Sequence, residues 1–308
     1  MTAPADNATV SGAAVTVSAA ASDNVGVAGV QFLLDGVTPI GAEVTTPPYS
    51  ITWDTTTTSL GGHTLSARAR DGAGNATTSA AINVTVAIVT APALAIDAFA
   101  FGDQSASATS VTTQSFSTTA SNELLLAFIS ADYSSGASTT VTGLAGGGLT
   151  WQLVVRTNVQ SGTAEIWRAF AAAPLGGVSV TATISQAAAS SISILSFVGA
   201  DATGTNGSGA IGATRSANGA SGAPSASIVT SRNNSWVIGV GTDWDAPIGR
   251  TLGPNQVMVH QYMPPVGDTY WVQRMVGVTP TAGTTVTIND TAPTTDRYNL
   301  SVVEVLSK

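Results

Sequence analysis

V178-S-V-T-A-T-I184 alternates apolar and polar residues without a break. Successive side chains of a strand point to opposite faces, so a period of two describes a strand with one buried and one wet face. V15-T-V-S18, I82-N-V-T-V86 and T285-V-T-I288 repeat the pattern. Turn chemistry separates such runs: D35-G36, G61-G62, D71-G72, G146-G147-G148 and G176-G177. Glycine and Asp-Gly pairs supply the positive φ that tight turns need. The best helical stretch, A169–A173, is short and closed by Pro174. Many short strands with regular turn punctuation predict an all-β chain built from β-sandwiches.

The 308 residues are enough for two domains with cores of their own. Hydrophobic residues make up 44%, which excludes a disordered chain. Charged residues make up only 9%, against about a quarter in an average domain. The wet faces must therefore be built from Thr, Ser, Asn, Gln and Gly. The formal net charge is −8, the one lysine is Lys308, and the arginines stand singly. Without a basic stripe, nucleic acid and anionic membrane surfaces are poor partners. The absence of cysteine excludes disulfides, thiolate catalysis and cysteine zinc sites. No stretch is apolar enough for a membrane-spanning helix and no signal peptide is visible. Met1-Thr2-Ala3-Pro4 runs almost directly into a strand pattern. The expectation is a fragment of an exported bacterial protein, extracellular or on the cell surface, joined to further domains.

The boundary falls near I88-V-T-A-P-A93. It gives a first domain over 1–88, a linker over 89–94 and a second domain over 95–308. Residues 201–223 (DATGTNGSGAIGATRSANGASGA) are so rich in small residues that a long surface loop is expected there.

Three motifs mark the first domain: A21-S-D-N-V-G-V-A-G-V-Q-F-L-L-D-G36, P47-P-Y-S-I-T-W-D-T55 and G61-G-H-T-L-S-A-R-A-R-D-G-A-G-N75. Tyr49, Ile51 and Trp53 alternate on one strand, and Leu65, Ala67 and Ala69 on another; Trp53 is the expected core anchor. The set resembles the bacterial immunoglobulin-like module of secreted multidomain proteins, over about residues 3–87. That resemblance implies a spacer or presentation role, with His63 structural. The D71-G-A-G-N75 turn, with Asp23 and Asn24, offers oxygens that suit calcium; an Asx-stabilised turn is the favoured reading.

The second domain runs through N122-E-L-L-L-A-F-I-S-A-D132, G148-L-T-W-Q-L-V-V-R156, T163-A-E-I-W-R-A-F170 and I192-S-I-L-S-F-V-G-A-D201. This succession resembles a β-sandwich domain of bacterial surface proteins and phage-tail-like proteins, over about residues 95–308. The resemblance supports a jelly-roll or lectin-like sandwich and attaches no single activity, since fold alone does not give function. The expected fold is thus an Ig-like β-sandwich followed by a larger jelly-roll-like one.

Polar and aromatic residues concentrate towards the C-terminus: W236-V-I-G-V-G-T-D-W-D245, V257-M-V-H-Q-Y-M263, V266-G-D-T-Y-W-V-Q-R274 and I288-N-D-T-A-P-T-T-D-R-Y-N-L300. Sugar rings stack on aromatic faces and their hydroxyls need ionised or amide partners. The candidate ligand-binding set is therefore Asp243, Trp244, Asp245, His260, Tyr262, Asp268, Tyr270, Trp271, Arg274, Asp296 and Arg297. Strand alternation puts Tyr270 and Trp271 on opposite faces, one of them in the core. Asp243 and Asp245, two apart on a strand, also have a separation that a glycosidic acid–base pair could use. Asp243, Asp245 and Asp296 could hold calcium, the one cofactor the composition suggests. The leading expectation is a non-catalytic module that binds a polysaccharide or cell-surface glycan. The alternatives are a glycoside hydrolase using Asp243 and Asp245, and a structural adhesin or fibre segment.

Overall fold

Strands carry nearly all of the regular structure of the computed structural model, as the alternation predicts. Residues 1–88 and 92–308 are described; residues 89–91 of the expected linker lie outside the described residues. The chain divides into two compact units, Met1–Thr90 and Ala91–Lys308.

The first unit holds β1 (Ala8–Val10), β2 (Val15–Ser18), β3 (Val27–Leu34), β4 (Thr38–Val44), β5 (Ser50–Trp53), β6 (Gly61–Asp71), β7 (Ala76–Thr78) and β8 (Ile82–Val86). One sheet runs β1-β8-β6-β3-β4, with β7 on β6; β2 and β5 form the second. The inward residues of both sheets, Val30, Phe32, Leu65 and Val84 against Val17 and Trp53, make one core. Trp53 is its buried anchor. Both candidate calcium turns bond to themselves. Asp71 Oδ1 accepts from the Ala73 and Asn75 amides at 2.8 and 2.9 Å, and Asp23 Oδ2 accepts from those of Val25 and Gly26 at 2.8 and 3.0 Å. These are Asx turns. His63 is structural: its ring bridges Asp35 Oδ2 and the Ser59 carbonyl, both at 2.8 Å.

The second unit begins with β9 (Ala95–Thr112), β10 (Glu123–Ala131), β11 (Val141–Gly146), β12 (Gln152–Thr157), β13 (Thr163–Ala171) and β14 (Val180–Val198). It continues with β15 (Ile211–Gly219), β16 (Ser225–Val229), β17 (Trp236–Asp243), β18 (Thr251–Leu252), β19 (Gln256–Tyr262), β20 (Thr269–Met275), β21 (Thr285–Ala292) and β22 (Tyr298–Val305). The A169–A173 stretch is not helical; its first half ends β13. The expected loop over 201–223 is also corrected. After a short 3-10 turn at Ser208–Ala210 it forms β15, paired along β22. A strand needs backbone partners more than bulky side chains, so composition alone misread it.

The two sheets of this unit are copies of one another. One runs β11-β14-β10-β13-β12 with β9 also on β14, the other β15-β22-β17-β20-β19. Strand for strand, β10 corresponds to β17, β12 to β19 and β13 to β20. The long β9 corresponds to β15 plus β16, and β14 to β21 plus β22. Irregularities recur in register. The β12–β13 ladder slips between Leu153 and Val155, the β19–β20 ladder between Met258 and His260. The Thr112–Thr181 hydroxyl pair of the first copy (2.9 Å) recurs as Ser227–Thr287 (2.8 Å). One acidic position has exchanged sides. Glu123 on β10 faces Ser196 on β14, whereas Ser235, just before β17, faces Glu304 on β22. A Cβ at Gly212 would overlap the Glu304 carboxylate, so the glycine makes room for the moved acid.

The copies pack face to face. Leu124, Leu126, Phe128, Ile166 and Phe197 of one sheet meet Trp236, Ile238, Val240, Val303 and Val305 of the other. Each copy also buries its outer face under its own folded-back strands. Val111, Val180, Ala182 and Ile184 cover the first, and Ala226, Ile228, Val286 and Ile288 the second. The central strands are consequently buried on both sides, which is why β10 and β17 read as nearly continuous apolar runs rather than alternating ones.

Candidate functional site

The C-terminal cluster does not converge on one place. Its residues divide among the inside of the second copy, an exposed corner of the sandwich, and two separate positions.

Inside the second copy lie Asp243, Trp271 and Asp296, joined by Arg250, Gln273 and Asp290, all buried. The Arg250 guanidinium stacks on the Trp271 ring at 4.3 Å, pairs with Asp243 Oδ2, and lies 3.4 Å from Asp296 Oδ2. This corrects the metal expectation. A guanidinium sits between Asp243 and Asp296, and among the described residues no group of three acidic or histidine side chains could hold a metal ion. It also corrects the acid–base pair. Asp243 ends β17, buried against Arg250, while Asp245 lies beyond the strand and is exposed. A substrate touching one carboxylate cannot reach the other.

Among the described residues no cation pairs with Asp290, because Arg250 is taken by Asp243 and Asp296. Burial pushes its carboxyl up to about 7, against the lowering pull of the Arg250 charge and the Gln273 amide. The fold does not require this acid. The ladder register makes Ile184 its equivalent in the first copy, and Ala131 the equivalent of Asp243. The first copy instead closes its interior with Glu165. That carboxylate accepts from the Val141 amide (2.7 Å), Arg156 (2.9 Å) and the Trp167 indole (2.9 Å).

The exposed corner carries Trp244, Asp245, Tyr262, Asp268, Tyr270 and Arg297, together with Asp132 and Tyr133 from the first copy. Trp244 is 39% exposed, and all other tryptophans are more deeply buried. Its ring meets Tyr133 edge-on at 6.5 Å and lies under the Arg297 guanidinium at 5.1 Å. Asp245 Oδ2 accepts from the Arg297 amide at 2.7 Å, which ties the two loops together. Beneath them the Asp132 and Asp268 carboxyls are close enough to interact, with the Trp244 indole beside Asp132. Burial first, and then the neighbouring Asp132 charge, push the Asp268 carboxyl well above the usual range; burial raises that of Asp132. The Tyr270 hydroxyl donates to Asp268 Oδ2 at 2.7 Å and also lies 3.2 Å from the Ala189 carbonyl. The same carbonyl accepts from the Asp132 amide at 2.9 Å. Ala189 sits at a register shift of β14 that aims its carbonyl into the corner.

Tyr270 and Trp271 are both buried, so neither ring offers a face to a ligand. The expectation of one core and one exposed ring fails because both faces of the strand are covered. Asp268 is likewise too deep to meet a ligand first. His260 hydrogen-bonds to Asp103 Oδ1 and Oδ2 at 3.0 and 3.1 Å and stacks on Phe101 at 4.3 Å, away from Asp243 and Asp296. Arg274 covers the Trp236 ring at 4.8 Å and donates to the Met275 carbonyl at 2.9 Å. Two surface hollows, of about 520 and 530 Å³, lie elsewhere. One is lined by Asp35, Trp53 and His63, the other by Pro254, Val276 and Pro280.

Sequence reasoning missed Asp132, Tyr133, Arg250 and Gln273. A signal for the first two was present: A131-D-Y133 and T242-D-W244 both end an apolar strand on an acid followed by an aromatic. Nothing in the spacing of Arg250 or Gln273 marks them.

Residues 1–67 match a family model described as a bacterial Ig domain, so the first unit carries a bacterial Ig-like module. The match ends within β6, short of β7 and β8. No curated protein matches the chain.

Proposed function

We propose that the protein is an extracellular, non-catalytic binding protein in which the Ig-like unit is a spacer and the duplicated sandwich binds a polysaccharide or cell-surface glycan through the Trp244 corner. One observation carries the reading: the exposed tryptophan is packed between Tyr133 and Arg297, with Asp132 and Asp245 beside it. An indole face suits the apolar C–H face of a sugar, and carboxyl oxygens accept hydrogen bonds from its hydroxyls. A ring already fixed loses little side-chain entropy on binding. The paired-aspartate hydrolase loses its support with Asp243 buried behind Arg250. The structural segment remains the competing outcome. Calcium has no role in this reading.

The test is retention of the full chain on a panel of insoluble and soluble polysaccharides, with and without calcium, scored together with release of reducing sugar. Retention without sugar release, lost in Trp244→Ala, is expected. Retention unchanged in Trp244→Ala sinks the corner. No retention across the panel favours the structural segment.

A further inference from the structure

The Asp132–Asp268 contact joins the two copies of the sandwich. Asp132 follows β10 of the first sheet and Asp268 precedes β20 of the second. The fold does not ask for this pair. The register that equates Thr163 with Thr269 puts Gly162 at the position of Asp268 in the first copy. The seam there is closed by amides: Asn299 Oδ1 accepts from the Gln160 amide at 3.0 Å, and Asn299 Nδ2 donates to the Gln160 carbonyl at 3.2 Å.

Two carboxylates facing each other out of water cannot both be ionised at ordinary cost. One proton between them converts the repulsion into a charge-assisted hydrogen bond. The groups that face the pair offer no positive charge in contact. Tyr270 donates its hydroxyl to Asp268, with the Tyr262 ring behind it at 6.1 Å. The Tyr133 amide donates to Asp132 at 2.5 Å and the Trp244 indole lies beside it. From β14 comes the Ala189 carbonyl. Asp245 adds a third negative charge. Among the described residues no arginine, lysine or histidine forms an ion pair with either acid; Arg297 lies over Trp244 and Arg250 is paired with Asp243 and Asp296.

We propose that a single proton shared by Asp132 and Asp268 latches the two copies together at this end of the sandwich, and that its loss to solvent opens the corner that carries Trp244. With the proton gone, Asp132 and Asp268 repel across the seam, and Asp245 adds to the field. Asp132 is the half-buried partner, so the strain is relieved by its moving outward. Trp244, which lies against it and against Tyr133, moves with it. The device does not depend on what the corner binds.

The test is tryptophan emission of the full chain titrated from about pH 4 to 9, with side-chain carboxyl carbons followed by NMR over the same range. The expected result is a one-proton change in emission above the ordinary carboxylate range, absent in Trp244→Phe. The Asp132 and Asp268 carboxyls, each assigned by its variant, should titrate in well-separated steps. Asp268→Asn keeps a donor facing Asp132 at every pH and should abolish the transition. Should that variant fail to fold, Asp132→Asn tests the same latch from the more exposed side. A flat emission profile in the unaltered protein overturns the proposal. So does a transition with unchanged midpoint in either variant, or titration of both Asp132 and Asp268 below about pH 5. Each of these readouts is independent of glycan retention.

Discussion

Replacing Asp290 by asparagine should stabilise the protein above neutral pH and leave it little changed in acid. Asp290 is 3% exposed and its carboxyl is lifted from 3.8 to about 7, chiefly by burial. The native state therefore holds a proton that the unfolded chain releases near pH 4. Stability falls as pH rises between those two values and is level above the upper one. At about 1.4 kcal/mol per pH unit, the full shift corresponds to at most about 4 kcal/mol. Asparagine imitates the neutral acid at every pH, so it escapes that cost. Its amide, however, brings donors close to Arg250, which already has no free acceptor, so a net gain of about 1–3 kcal/mol is expected at pH 8. In a domain of this size that is roughly 2–10 °C in Tm. The assay is urea unfolding at pH 5 and pH 8, followed by tryptophan emission, since five of the six tryptophans lie in the second unit. A loss of stability at pH 8 would refute the reasoning, because it would mean that the Asp290 carboxylate is held favourably by Arg250 rather than penalised by its burial. An equal change at both pH values would refute it too, by removing titration as the cause.

Other outcomes follow from the same geometry. Arg250→Met strands Asp243 and Asp296 as buried, unpaired acids and should cost about 3–5 kcal/mol, more at pH 8 than at pH 5, read by the same unfolding curves. Gly241→Ala places a Cβ into the Trp271 ring and should cost about 1–3 kcal/mol, with the loss seen as a lower urea midpoint at unchanged slope. In the first unit, the hydrogen bonds that His63 donates, first to Asp35 and then to the Ser59 carbonyl, raise the His63 pKa. That contribution is fully present below about pH 6.5 and lost as pH rises through the folded value. A pH scan of the Tm of residues 1–88 within the full chain should slope downward there, and the slope should vanish in His63→Gln.

The periodicity of the sequence carried the strand class well. V178–I184 leads into β14 from Val180 on, and I82–V86 and T285–I288 are strands or parts of strands, because a half-buried strand cannot avoid alternating. It carried the Ig-like unit too, where Trp53 and the Asp-Gly turns are local features. It failed where the deciding contacts are remote. β15 is a strand because β22 pairs with it, though its own residues are small and polar. Tyr270 and Trp271 are both buried because a second layer covers each face. Arg250 matters through Asp243 and Asp296, seven positions before it and 46 after it along the chain.

The candidate site divides along the same line. The sequence by itself determined that acids and aromatics are concentrated in the last third, and that the ends of apolar strands carry Asp-aromatic pairs. Only the tertiary structure decided which of them meet. It turned Asp243 inward to a guanidinium and left Trp244 half exposed. It also brought Asp132 from the other copy against Asp268, with 135 residues of chain between them. The physical reason is that alternation is enforced locally by burial, whereas a charge finds its partner across sheets. Which acid is paired, protonated or exposed is then set by the desolvation of that one place, which no local pattern encodes.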